Sequence, residues 1–149
     1  LAILVLAISN CKENDNKKSI DRESKSKNVK EMDKIEIGCY SFNDGKNLIN
    51  FEITEIKNQV KGVLTYQFYE KDTNKGIFTG TFSDDTLFGS YTFTSEGVES
   101  TREEAFKLKE STLFMGYGEK DEETGTIFKD KNLLKYVYKM PIKKGYCKK

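Results

Sequence analysis

From residue 34 onward, apolar side chains recur at alternate positions, and turn-forming groups interrupt the alternation roughly every eight to twelve residues. This is the period of strands with one dry face and one wet face, and no stretch carries the 3.6-residue period of a helix. The pattern predicts an all-β domain over residues 34–149, built as an antiparallel meander. A one-residue slip would turn every side chain of a strand to the other face. A correctly placed turn must therefore bring the apolar positions of its two flanking strands to the same side.

Five successive turns satisfy that condition, and a sixth would extend the pattern. A two-residue turn at Asp44-Gly45 pairs Tyr40 with Ile49 and Gly38 with Phe51, and Lys57-Asn58 pairs Ile49 with Tyr66 and Phe51 with Leu64. A three-residue loop at Asp72-Thr73-Asn74 pairs Phe68 with Phe78, Tyr66 with Gly80 and Leu64 with Phe82. Asp84-Asp85 pairs Phe82 with Leu87, Gly80 with Gly89 and Phe78 with Tyr91. Glu96-Gly97 pairs Tyr91 with Arg102, Gly89 with Glu104 and Leu87 with Phe106. Glu110-Ser111 sets Phe106 beside Met115, Glu104 beside Tyr117 and Arg102 beside Glu119. Further segments at Thr126 to Lys129 and Leu134 to Ile142 bring the total to about eight or nine strands.

The inner face then carries one apolar row, Gly38, Phe51, Leu64, Phe82, Leu87, Phe106 and Met115, and two mixed ones. Lys61, Thr65, Gln67, Thr79, Thr81, Thr92 and Lys107 point to water. With no helix to cover the dry face, closure into an up-and-down barrel is the economical arrangement, and Gly38, Gly62, Gly76, Gly80 and Gly89 permit the bends. The result resembles the lipocalin and avidin-like class of small barrels. The likeness is architectural: Gly38-Cys39-Tyr40 stands where lipocalins carry Gly-x-Trp, and the chain has no Trp.

The beginning of the sequence has a different pattern. Leu1 to Ile8 is an uncharged apolar run, too short to cross a bilayer, and a polar stretch follows it at once. It reads as the apolar part of a signal peptide over residues 1–10. Leu6-Ala7-Ile8-Ser9-Asn10-Cys11 resembles the lipobox of bacterial lipoproteins, with Asn10 where Gly, Ala or Ser is usual. The resemblance implies that Cys11 is lipidated, and that the chain is held on the outer membrane, at its periplasmic side or the cell surface. The competing reading is a buried strand with Cys11 as a core thiol. Residues 11–33 are mostly Lys, Glu, Asp, Asn and Ser and read as a disordered tether, with a helix in its later half as the alternative. A flexible chain of that length spans about 25 Å. Lipobox, tether and β-rich domain together, with the run Gly89-Ser-Tyr-Thr-Phe-Thr-Ser-Glu-Gly97, resemble small, mostly uncharacterised lipoproteins of the Bacteroidetes.

Composition narrows the chemistry. Lys+Arg number 25 against 24 Asp+Glu, so no net field exists to draw nucleic acid, and the domain reads as a monomer. The absence of His removes Ser-His-Asp and Cys-His catalysis and His-ligated zinc. In an exported chain whose Cys11 carries lipid, Cys39 and Cys147 are left to form one disulfide, two free thiols being the alternative. Asp72-Thr73-Asn74-Lys75-Gly76 holds a fragment of a calcium loop, lacks its closing glutamate, and fits a turn. Asp121 to Glu123 and Asp84-Asp85 read as solvated loops, and no metal or cofactor is expected. A pair of carboxylates could serve glycoside hydrolysis, but one inward acid is too few, and the chain reads as a non-enzyme.

The candidate site is inside the barrel. Arg102 and Glu104 place two charges on the inner face, where a charge must be paired or bound to a ligand, and Gly80 and Gly89 leave space beside Glu104. Tyr40, Tyr66, Tyr91 and Tyr117 would surround that space with hydroxyls and flat apolar faces. One expectation is a binding module for a small amphipathic ligand. The other keeps Arg102 as an internal ion pair with Glu104 or Glu119 and the tyrosines as core. The protein would then be a solid-core interaction or inhibitor lipoprotein acting through its loops on an envelope or host protein. Some bacterial lysozyme inhibitors are small lipoprotein barrels, and none of their motifs occurs here.

Overall fold

The computed structural model describes residues 35–145 and residue 147. The apolar run at 1–10, Cys11 and the polar segment 11–33 lie outside the described residues. Among the described residues nine strands occur: β1 (Gly38–Asn43), β2 (Leu48–Ile56), β3 (Val60–Gln67), β4 (Asn74–Ser83), β5 (Thr86–Ser95), β6 (Val98–Lys109), β7 (Thr112–Tyr117), β8 (Lys135–Tyr136) and β9 (Ile142–Gly145). Each of the first seven pairs antiparallel with the next, and β9 enters between β7 and β1 to close an eight-stranded barrel. β8 is an additional strand on the end of β7, and Lys131–Leu133 forms one 3-10 turn. The lipocalin-like, all-β barrel is the fold this alternation produces.

Four of the expected turns hold their pairings on the barrel wall. Ile49 faces Tyr66, Phe82 faces Leu87, Tyr91 faces Arg102, Gly89 faces Glu104 and Phe106 faces Met115. Two registers differ. Tyr40 pairs with Phe51 and Gly38 with Ile53, because the β1–β2 connection uses four residues rather than two. The Asp44 carboxylate accepts from the backbone N–H groups of Lys46 and Asn47, and Asn43 Oδ1 accepts from the Gly45 N–H, which stabilises the longer turn. In the β3–β4 connection, Tyr66 pairs with Asn74, Leu64 with Gly76 and Gly62 with Phe78. The loop begins at Phe68, whose carbonyl accepts from the Lys71 N–H, and Glu70 adopts a positive φ of 56° within it. Both corrections are shifts by an even number of residues, so the inner face keeps its membership.

The last part of the meander also differs. β6 and β7 pair only from Lys109↔Thr112 to Phe106↔Met115, so Glu104 is not set beside Tyr117 nor Arg102 beside Glu119. Beyond that point the chain leaves the barrel wall. Residues around Thr126 form a single bridge, Lys120↔Phe128, instead of a strand, and the chain returns through β8 to β9. The Cys39–Cys147 disulfide is formed, fastening Cys147, two positions beyond the end of β9, to β1, with Cα atoms 5.1 Å apart.

Inside the barrel, Tyr40, Ile49, Phe51, Leu64, Phe78, Leu87, Tyr91 and Phe106 are fully buried. The rings of Phe51, Phe78 and Phe106 meet with centroids 5.2, 5.3 and 5.7 Å apart. This aromatic centre is worth more than its buried area alone, because edge-to-face contacts add about 0.5–1.5 kcal/mol each.

Candidate functional site

The β5–β6 ladder runs without a bulge from Thr86↔Lys107 to Ser95↔Val98 and therefore holds Arg102 and Glu104 on the inward face. Arg102 Nε donates to Glu104 Oε1 at 2.6 Å, and the Tyr66 hydroxyl donates to Glu104 Oε2 at 3.3 Å. Glu104 is buried, while the Arg102 side chain is 35% exposed. Charge and hydrogen bond are both met at the carboxylate, which satisfies the condition for keeping an acid in a core. The Arg102 guanidinium lies over the rings of Phe93, Tyr91 and Tyr66 at 4.8, 5.6 and 5.8 Å. Tyr91 stacks on Phe93 at 4.9 Å and donates its hydroxyl hydrogen to the Leu64 carbonyl at 3.1 Å.

Burial pushes the Tyr66 hydroxyl far above the ordinary tyrosine range, and the neighbouring Glu104 charge pushes it the same way. Burial raises Tyr91 likewise, Arg102 opposing. Both phenols are thus neutral donors at any physiological pH, suited to holding a carboxylate and unsuited to acting as bases.

Four of the six expected lining residues come together: Tyr66, Tyr91, Arg102 and Glu104. Tyr40 is fully buried but elsewhere, with its hydroxyl accepting from the Glu36 N–H at 2.9 Å. Tyr117 is 51% exposed on the outside, and Glu119 is exposed as well. The expected space is also occupied. A Cβ at Gly89 would lie 2.4 Å from Phe78 Cζ, and one at Gly80 would lie 2.6 Å from the same atom. The two glycines admit the Phe78 ring, rather than a ligand, beside the charged pair.

Two clefts lie outside the barrel, on the excursion between β7 and β8. One, of about 720 Å³, is lined by Tyr117, Glu119, Lys129, Asp130, Leu133 and Lys135 among others. The second, of about 520 Å³, lies between the outer wall at Phe88, Thr101 and Glu103 and the excursion at Thr126, Ile127 and Lys131. Leu133 and Ile127 are 74% and 55% exposed.

Asp121, read from the sequence as a solvated loop residue, organises this excursion. Its carboxylate accepts from the backbone N–H groups of Thr124, Thr126 and Ile127 and from the Thr124 hydroxyl. Those bonds, led by the Ile127 and Thr124 amides, hold the acid well below its usual range. Lys120 ties the excursion to the wall: its ammonium donates to the Glu103 carbonyl at 2.6 Å and lies over the Phe128 ring at 3.3 Å. The Glu103 carboxylate accepts from the Phe128 N–H and pairs with Lys131. Alternation singled out neither Glu103 nor Lys120, because their roles depend on a loop folding back over 17 or more residues, nor Asp121, whose role is to close a local turn that carries no alternation.

Among the described residues, Cys39, Glu52 and Cys147 form the one grouping of metal-ligating atoms, and both sulfurs are committed to the disulfide. Compared with protein-family models, with curated proteins and with solved structures, the chain matches none.

Proposed function

We propose that the protein is a lipoprotein of the cell envelope, anchored through Cys11, whose barrel is a solid scaffold and whose activity is exerted by its outer surface on a partner protein. The observation that carries this reading is the occupied interior: Phe78 fills the space over Gly80 and Gly89, and Glu104 has its partners within the fold. The geometry of the ends fits it too. The chain enters β1 at the end that carries Cys147 and the turns at 57–59, 84–85 and 110–111. The turns at 44–47, 68–73 and 96–97 lie at the opposite end, away from a membrane that holds Cys11.

The test is native mass spectrometry of the chain extracted from the membranes of its own source, followed by denaturation. The expected result is a polypeptide that begins at Cys11, carries a lipid increment on that residue, and loses nothing further when unfolded. A stoichiometric mass released on unfolding would overturn the solid scaffold. Its loss in the Arg102→Ala variant would place the cargo at the charged pair. An unlipidated Cys11 would overturn the anchor.

A further inference from the structure

The flank of β6 is covered in three different ways along its length. From Phe106 to Lys109 it is covered by β7. At Glu103 the chain substitutes a single group for a strand: the Glu103 N–H donates to the Thr126 carbonyl at 2.8 Å, and the Glu103 carbonyl accepts from Lys120. From Val98 to Arg102 no backbone group among the described residues pairs on that side. The two-residue turn at Glu96-Gly97 sets the phase of the β5–β6 ladder, so that even-numbered residues of β6 exchange hydrogen bonds with β5. The N–H and C=O groups of Glu99 and Thr101 consequently point to the uncovered side, and both residues are exposed.

Proteins normally blunt such an edge with proline, charged side chains, an inward charge or a bulge. Between Val98 and Arg102 there is no proline, lysine or bulge; the inward charge of Arg102 is neutralised by Glu104, and the outward charge of Glu99 excludes acidic strands while leaving basic ones free to pair. Four backbone groups at a spacing of two residues form the complement of an extended chain. The charge on the edge selects among such chains. Glu103 is paired with Lys131 and Arg102 with Glu104, whereas Glu96 and Glu99 have no ion-pair partner among the described residues. The cleft at Thr101, Phe88 and Ile127 adjoins the edge and can receive an outward side chain.

We infer that β6 from Val98 to Arg102 docks an extended segment of a partner protein, which adds to the sheet as a strand and sets a lysine or arginine against Glu99. This rests on the reading above in requiring a protein partner. The cargo test above leaves it untouched, and the edge test below leaves the solid core untouched.

The experiment uses the full chain and an acetylated, amidated peptide of alternating threonine, valine and lysine. Two further versions of the peptide are N-methylated at its odd or at its even amides. The expected result is binding by the parent peptide, at least a tenfold loss for one methylated phase, and little change for the other. Amide exchange at Glu99 and Thr101 should slow at least tenfold on binding. Thr101→Pro removes an N–H that β5 does not use, so the fold should persist while binding falls at least tenfold. Should that variant not fold, Glu99→Lys is expected to weaken the basic peptide at least fivefold with the melting temperature kept. Failure of the peptide to bind, equal loss for both methylated phases, or slow exchange at Glu99 and Thr101 in the free monomer would each overturn the inference. So would a dimer of the chain that protects these two amides and excludes the peptide, because the occupant would then be a second copy.

Discussion

At the scale of the residue, alternation identified the charged pair and two of the tyrosines around it, but not what fills the space beside it. Arg102 and Glu104 follow from parity within one continuous hairpin, as do Tyr66 and Tyr91 across the wall. Parity says which way a side chain points and nothing about how far a ring on another strand reaches. The Phe78 ring over Gly80 and Gly89 was therefore not legible. Gly89→Ala is expected to cost about 1–3 kcal/mol or more, since the new methyl would meet Phe78 and the Thr79 carbonyl, and urea unfolding measures it. Glu104→Gln should be destabilising by less than the roughly 3–5 kcal/mol of a fully buried pair, because water already screens Arg102. The tyrosines give a pH signature. Tyr66 and Tyr91 stay neutral in the fold, whereas an unfolded chain ionises them near the ordinary value of 10.0. Their contribution is thus complete below that value and declines as pH rises beyond it. A phenolate absorbance titration should show these two ionising only together with unfolding.

At the scale of the element, strands were more legible than the connections between them. A strand declares itself through its own alternation, but Asp44-Gly45 and Asp72-Thr73-Asn74 each suit a short turn as well as a longer loop. The choice was made by side-chain bonds such as those of Asp44 and the Tyr69 N–H to Asn47 Oδ1, which link two loops far apart in sequence. The β7–β8 excursion is the extreme case, its fold imposed by the carboxylates of Asp121 and Glu103 and the Lys120 ammonium rather than by alternation. Asp121→Ala is expected to speed amide exchange at Thr124, Thr126 and Ile127 while the barrel melts nearly as before. Acid should do the same to the native chain. With its folded value below the usual 3.8, Asp121 supports the loop fully above that pH and ceases to do so as pH falls through the lowered value. Amide chemical shifts of these three residues, followed from neutral pH downward, measure it.

At the scale of the whole molecule, closure was legible as a necessity and its route was not. A one-sided sheet without a helix has to close, but the sequence did not indicate that β9, rather than the segment around Thr126, lies against β1. The disulfide reinforces that closure across 108 residues of sequence. In the chain-entropy account a loop of this size contributes about 4–5 kcal/mol. Reductant should therefore lower the melting temperature by about 15 °C or more. The Cys39→Ser, Cys147→Ser double variant should melt near the reduced value and ignore reductant. Closure through β9 also orders events in time. β1 is the first strand of the barrel to be synthesised and β9 the last. Until β9 is present, β1 and β7 carry bare backbone edges, and an incomplete chain can pair with its neighbours before it can pair with itself. The four-residue strand β9 is thus the step at which self-association stops competing with folding.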